Sequence, residues 1–263
     1  MASELVEERL KDMLLKKQFN ELSNLLLRKY PNKIDMVIKF LKDKNPMIRG
    51  NAALLIGLIG EKNPDIVSKA IPVLVKIMKK DNVAVKTSVV IALGRIGKGK
   101  ITLVSPIVPE IIKFLKHKSP AMKQSAIVAL SHIGSIYPGV VKKAVPMIIA
   151  MLDDPDPTIR EKAIMAIGLI GSANIHMVKE AIPILIDLLS DEDSLVRRAA
   201  AETLGILSEQ HPEGVRTAIV KLLKLQAQGE IWYVKEMARD VLQDLCSKLG
   251  IDIRLIAKEK QVL

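Results

Sequence analysis

The chain has 263 residues, of which 49% are hydrophobic and only 3% aromatic, and its formal net charge at pH 7 is +11. So few aromatic residues argue against a sandwich or barrel core, and the single cysteine, Cys246, excludes an intramolecular disulfide framework. The charged opening "MASELVEERLKDMLLKKQ" does not resemble a secretory signal, and the apolar runs are far shorter than the ~18 residues that span a bilayer. We therefore expect a cytoplasmic protein without a membrane span.

One pattern recurs along the chain with a period of 37 residues. Gly60, Gly97, Gly134 and Gly171, followed by Ser208, keep this spacing. A basic residue and a proline keep it as well, at Arg49, Lys86, Lys123, Arg160 and Arg197 and at Pro72, Pro109, Pro146 and Pro183. Such a period predicts a solenoid, in which each repeat buries its apolar face against its neighbours.

Residues 140–171 show what one repeat contains. A first run of apolar residues at helical spacing ends at Asp153-Asp154-Pro155, and a second run ends at Gly171, which we interpret as a helix C-cap. Pro146 either starts the regular part of the first helix or kinks it. No segment alternates with a period of two for any length, so each repeat is predicted to be a helical hairpin.

The hairpins define the predicted domain organisation. We expect capping helices at 1–30, a repeat array at 31–249 and a tail at 250–263, all forming one continuous domain. The array is predicted to contain six hairpins, at 31–60, 66–97, 103–134, 140–171, 177–208 and 214–249. Its terminal elements depart from the pattern, as expected where a stack must present a polar outer face.

The second helices resemble those of the HEAT-repeat family. "TIREKAIMAIGLIG" and "LVRRAAAETLGILS" are the closest copies of its pattern V-R-x-x-A-x-x-A-L-G-x-I-G, and the resemblance covers about 220 of the 263 residues. It implies an all-α, armadillo-like, right-handed α-solenoid with first helices on the convex face and second helices lining the concave face. Such arrays are mostly adaptors and scaffolds, with a few enzymes and nucleic-acid binders among them.

The family's aspartate in the turn between the two helices is not kept in every repeat. This position holds Asp43, Lys80, His117, Asp154 and Asp191. We therefore expect the Asp–Arg pairing along successive turns to be lost in the second and third repeats, unless Asp81 substitutes from one residue later.

The resemblance places three positions, four residues apart, on the concave face of each second helix, where the family usually has polar side chains. Most of these positions are apolar here, which favours docking of a helical segment of another protein. The predicted protein-binding ridge consists of Leu54, Leu58, Ile91, Arg95, Val128, His132, Met165 and Leu169. Three alternatives stay open: a register error that makes these residues core, coverage by curvature or by the N-terminal helices, and closure by a second copy in a homodimer.

Charge is distributed unevenly along the chain. Residues 1–150 contain 26 Lys and Arg against 11 Asp and Glu, whereas residues 151–263 contain 14 against 18. The excess lies at first-helix ends of three successive repeats, at Lys39, Lys42, Lys44, Lys76, Lys79, Lys80, Lys113, Lys116 and Lys118. We expect a stripe about 20–30 Å long that either contacts nucleic acid or a ribonucleoprotein in a salt-sensitive manner or only keeps the protein soluble.

No catalytic residue, cofactor or metal site is predicted. The four histidines are scattered, and no phosphate loop, zinc pattern or nucleophile elbow occurs. The segment "IWYVKEMARD" (231–240) contains Trp232 and Asp240 and admits one remote alternative, a HEAT-like alkylpurine DNA glycosylase; we expect Trp232 to be capping core instead, and Cys246 to be buried. The sequence thus predicts a non-enzymatic scaffold that binds another protein.

Overall fold

The computed structural model describes residues 2–30, 33–216, 218–220, 222–223, 232–252 and 254. Every regular element within these ranges is an α-helix or a 3₁₀-helix, and none is a strand. The chain divides into two compact units, Met1–Val141 (unit 1) and Lys142–Leu263 (unit 2).

Unit 1 begins with two helices and continues with three hairpins. Its described α-helices are α1 (Ala2–Leu15), α2 (Phe19–Arg28), α3 (Ile34–Phe40), α4 (Pro46–Lys62), α5 (Ile71–Lys80), α6 (Val83–Gly99), α7 (Val108–Lys113) and α8 (Pro120–Gly134). The hairpins are α3/α4, α5/α6 and α7/α8, and their second helices pack in sequence, α4 against α6 and α6 against α8.

Unit 2 continues the same plan. Its described α-helices are α9 (Val145–Ala150), α10 (Pro157–Ala173), α11 (Ile182–Leu188), α12 (Ser194–Ser208), α13 (Pro212–Val215) and α14 (Trp232–Leu249). The second helices α10 and α12 pack against each other, and α12 also packs against α14.

The recurring proline begins the regular part of each first helix. Pro72, Pro109, Pro146 and Pro183 are each the second residue of their α-helix. A proline costs nothing there, because the N–H that it lacks has no partner in the first helical turn. Short 3₁₀ segments precede these prolines, for example Asp65–Ala70 before α5, so Pro146 starts its helix rather than kinking it.

Capping residues that were not predicted from the sequence begin the second helices. Asn45, Asn82, Ser119, Asp156 and Asp193 are the N-caps and keep the same 37-residue spacing. The side chains of Asn45, Asn82, Asp156 and Asp193 accept backbone N–H groups of the first helical turn. Each such cap stabilises a helix by about 1 kcal/mol relative to alanine.

The interpretation of Gly171 as a C-cap is wrong. Helix α10 continues to Ala173, and Gly171 is buried within it. A Cβ atom at Gly171 would lie 2.4 Å from Leu207 Cδ2, and one at Gly94 would lie 2.4 Å from the Cα atom of Ala129. Gly94 and Gly171 therefore lie where successive second helices approach so closely that a side chain would force their neighbours to shift.

In each unit, an arginine of one second helix pairs with an aspartate in the turn of the next hairpin. Arg49 donates to both carboxylate oxygens of Asp81, each at 2.8 Å, so Asp81 does take the place of the missing turn aspartate. In unit 2, Arg160 donates to Asp191 at 2.8 Å. In the third repeat, His117 Nδ1 accepts the backbone N–H of Ser119 at 3.0 Å, as Asp43 does from Asn45.

Candidate functional site

The second helices of unit 1 present the predicted apolar ridge residues on one face. Leu54 and Leu58 on α4, Ile91 on α6 and Val128 on α8 are all half-buried. The residues immediately before and after each of them are buried. The four side chains therefore form a shallow apolar surface on what we call the second-helix face of unit 1.

The two polar ridge residues of unit 1 lie next to a carboxylate. Arg95 donates to Glu61 Oε2 at 2.8 Å, and Lys98 donates to Glu61 Oε1 at 2.7 Å. Burial raises the pKa of Glu61, but the hydrogen bond and charge of Lys98 and the charge of Arg95 outweigh it and hold the pKa below its usual value. Burial lowers the pKa of His132, and the positive charges of Arg95 and Lys98 add to this against the opposite effect of Glu61.

The second-helix face of unit 2 is more exposed. Met165 and Leu169 on α10 are 46% and 41% exposed, and Ile206 on α12 is 41% exposed. Helices α10 and α12 are in contact at Gly168 and Thr203, where a Cβ atom on Gly168 would lie 3.2 Å from Thr203 Oγ1. Leu169 is the next residue of α10, and Ile206 follows Thr203 by three residues on α12. Ile206 was not in the predicted ridge, although it lies 37 residues after Leu169.

Ion pairs flank this apolar group. Glu161 accepts from Lys162 at 3.1 Å on α10, and Arg198 lies 3.7 Å from Glu202 on α12. Lys162 Nζ also lies 3.9 Å from the sulfur of Met165. The arrangement is an apolar centre with a polar margin, which is the usual organisation of a protein–protein interface.

The predicted lysine stripe lies entirely in unit 1, and all nine of its lysines are exposed. Three of them, Lys42, Lys76 and Lys80, line a cleft of about 400 Å³ whose walls include Leu41 and Ile77. In the described part of unit 1, Lys113 alone among the nine has an ion pair, with Glu110 at 2.9 Å.

The tryptophan and the cysteine differ in their exposure to solvent. Trp232 is 74% exposed at the start of α14, so its expected place in a capping core is wrong, whereas Cys246 is buried as predicted. Among the described residues, no group of three or more His, Cys, Asp or Glu side chains is placed to hold a metal ion. No helix in this part of the chain is both long and apolar enough to cross a membrane.

The helical hairpins match a known repeat family. A sequence profile described as HEAT repeats matches residues 34–106 and 144–243. The chain belongs to the HEAT-repeat family. This match confirms the resemblance of the second helices to HEAT repeats. A comparison with curated proteins gave no match.

Engineered repeat proteins share the fold of this HEAT-repeat chain. An engineered protein of the Northeast Structural Genomics Consortium is 21% identical, with a TM-score of 0.60 over 82% of this chain and 97% of that one. A designed armadillo repeat protein in complex with the peptide (KR)4 is 20% identical, with a TM-score of 0.59 over 80% and 98%. A structure of computationally designed armadillo repeat proteins for modular peptide recognition is 19% identical, with a TM-score of 0.54 over 79% of this chain and 98% of that one. These likenesses confirm the predicted all-α solenoid of helical repeats.

Proposed function

We propose that this HEAT-repeat protein is a non-enzymatic scaffold that binds a helical segment of another protein on its second-helix faces. The observation that supports this most directly is the exposure of Met165, Leu169 and Ile206 on two packed helices. Apolar residues on the other side of α10, such as Ile164 and Ile167, are fully buried.

The exposed group suits an amphipathic helix. A helical partner presents apolar residues three and four positions apart, which match the spacing of Met165 and Leu169. Covering the remaining exposed part of each of these side chains is worth about 1 kcal/mol. The half-buried apolar residues of unit 1, with Arg95 and His132 beside them, form a separate face that we propose binds a helical segment in the same way. The thioether of Met165 adapts to partners of different shape.

The similar structures support segment binding at the level of the fold. One of them is a designed armadillo repeat protein in complex with a peptide, and another was designed for modular peptide recognition. Rows of second helices in such folds offer an extended surface, and specificity then depends on the side chains placed there.

Site-specific photocrosslinking tests the proposal. A benzophenone amino acid replaces Met165 in one variant and Leu195 in a matched control, because Leu195 is also 46% exposed in unit 2 but lies in the first turn of α12. Each variant is irradiated in cell extract that contains nuclease and high salt. We expect one protein to be crosslinked to the variant with the probe at position 165, and the same protein not to be crosslinked to the variant with the probe at position 195.

A second pair of variants shows whether the apolar face itself binds. Leu169→Asp should abolish capture of that protein, whereas Leu195→Asp should retain it. Equal crosslinking at both positions, or equal loss in both aspartate variants, would contradict a binding site at Met165, Leu169 and Ile206.

A further inference from the structure

The structure points to a second interaction surface: we infer that the basic edge of unit 1 binds the phosphate backbone of a nucleic acid without reading its bases. The basic edge comprises the exposed ends of α3, α5 and α7 and the turns that follow them. Its residues are Lys39, Lys42, Lys44, Lys76, Lys79, Lys80, Lys113, Lys116 and Lys118. It does not include any residue of the second-helix faces, so this inference is independent of the proposed scaffold function.

The positive charge of this edge is not neutralised by the acidic residues of its own turns. Asp43 lies 3.0 Å from Lys11 on α1, and Asp81 accepts two hydrogen bonds from Arg49 on α4. These two carboxylates are therefore engaged by cations that do not belong to the edge. Unit 1 as a whole contains 24 Lys and Arg against 11 Asp and Glu.

Six of the nine lysines keep the 37-residue spacing of the repeat, as two series: Lys39, Lys76 and Lys113, and Lys42, Lys79 and Lys116. Lys42 follows α3, whereas Lys76 and Lys80 belong to α5, and all three line one cleft of about 400 Å³. Packed helices lie about 10 Å apart, so three hairpins place lysines along roughly 20 Å. A DNA duplex carries one phosphate charge per ~1.7 Å of its axis, so this length offers about twelve phosphates. The phosphates on the side of the duplex that faces the basic edge are therefore numerous enough to pair with its lysines.

Three of the nine lysine positions carry the opposite charge three repeats later. Counting 111 residues on from Lys42, Lys76 and Lys80 leads to Asp153, Asp187 and Asp191. Two of these aspartates line the corresponding cleft of unit 2, of about 350 Å³. The repeat itself therefore does not require lysine there, and solubility would be served by either sign. These three aspartates disfavour a polyanion at the corresponding positions of unit 2.

The side chains of the edge favour phosphates over bases and over acidic protein segments. Phe40 is buried and Phe114 packs edge-on against His117 at 6.3 Å, so neither offers an exposed ring for base stacking. A single exposed lysine–carboxylate pair contributes only about 0.2–1 kcal/mol. A nucleic acid adds the release of its condensed counterions at each lysine contact, which makes a row of lysines far more effective.

Salt-dependent binding to a labelled 20-base-pair DNA duplex tests the inference. Fluorescence anisotropy is measured from low to physiological salt with two unrelated duplex sequences, which should bind alike. The logarithm of the association constant should fall with the logarithm of salt by about 0.9 for each phosphate contact. The variant Lys42→Gln/Lys76→Gln/Lys80→Gln should make this slope shallower by about 2–3 and weaken binding at least about tenfold at ~100 mM salt.

A matched variant removes the same net charge elsewhere. Lys142→Gln/Lys143→Gln/Lys179→Gln changes three exposed lysines of unit 2 and should leave the slope unchanged. Equal weakening by both triple variants, absence of binding at low salt, or equally effective displacement by polyglutamate of the same charge would each overturn the inference. Leu169→Asp should leave DNA binding intact, so failure here and failure of the scaffold proposal are distinguished.

Discussion

Gly57 and Gly94 occupy the same position of successive second helices in unit 1, where two backbones touch. A Cβ atom at Gly57 would lie 2.6 Å from the Cα atom of Ala92, and one at Gly94 would lie 2.4 Å from that of Ala129. The obstructing atoms belong to the backbone and cannot rotate away. Close packing of α4 with α6, and of α6 with α8, thus depends in each case on the absence of a side chain at one glycine.

Gly94→Ala should therefore destabilise the protein although alanine is the better helix former. The gain in helix propensity is about 1 kcal/mol, whereas forcing a methyl group into a packed contact costs about 1–3 kcal/mol and more where backbone must move. We expect a lower midpoint of thermal unfolding. Gly139→Ala is the control, because no atom lies within 4 Å of its Cβ position, and a Gly94→Ala protein as stable as the wild type would disprove the contact.

His132 makes the free energy of unfolding depend on pH. Its pKa is lowered in the folded protein by burial and by Arg95 and Lys98, despite Glu61. On acidification the unfolded chain takes up a proton at this site first, near pH 6.5, so the folded state loses stability as the pH falls below that value. Above it, this residue contributes no pH dependence.

Chemical denaturation between pH 8 and 5 tests this. His132→Gln should flatten the loss of stability on acidification, because it removes the titrating group and keeps a polar side chain of similar size. His176→Gln, at an exposed histidine, should retain the slope of the wild type. A His132→Gln curve parallel to that of the wild type would show that other groups cause the pH dependence.

At the scale of helices and turns, two equivalent arginine–aspartate pairs differ in how deeply their side chains are buried. The side chains of Arg160 and Asp191 are only 9% and 7% exposed, whereas those of Arg49 and Asp81 are 18% and 15% exposed. A buried cation that loses a partner keeps most of its cost of desolvation, whereas water compensates part of that loss nearer the surface. Arg160 also lies 3.6 Å from Glu192, whose side chain is 86% exposed and is therefore the weaker partner. The two turns should therefore differ in sensitivity to the same substitution.

Asp191→Asn should lower the free energy of unfolding by about 3 kcal/mol and Asp81→Asn by about 1 kcal/mol. Asparagine keeps an oxygen that accepts the local backbone N–H, which each aspartate does in its turn, so the difference reports the lost charge. Urea denaturation measures both values. Equal losses in the two variants would show that burial does not set the strength of these pairs.

The sequence was sufficient to predict the helical hairpins, because apolar periodicity and the 37-residue spacing repeat independently in several hairpins. It did not predict the exposure of equivalent residues. Leu58 and Leu169 occupy the same repeat position, yet Leu58 is half-buried and Leu169 is 41% exposed. The exposure of a side chain depends on its neighbours. Beside Leu58, the Arg95–Glu61 ion pair joins α4 to α6. The equivalent positions in unit 2 hold Ile206 and Ser172, which cannot form an ion pair.

At the scale of the whole molecule, the fold and the binding surfaces rely on separate sets of residues. Glycines, caps and buried aliphatic residues keep their positions through the repeats, whereas the exposed ends of the first helices change from lysine to aspartate. Changes at those ends should alter partners with little effect on stability, since exposed substitutions away from caps and pairs usually change it by less than about 0.5 kcal/mol.

The backbone contacts between second helices also determine how the chain can change in length. Deleting residues 83–119 joins Asn82 to Pro120, so that Asn82 replaces Ser119 as the N-cap of α8. Gly57 and Gly60, which face Ala92 and Ile96, would then face the same residue types one repeat later, at Ala129 and Ile133. We expect this shortened protein to unfold cooperatively, whereas deleting residues 83–100 alone removes one helix of a pair and should cause aggregation. Circular dichroism during heating distinguishes the two, and the whole repeat is then the smallest length by which this protein can shrink or grow.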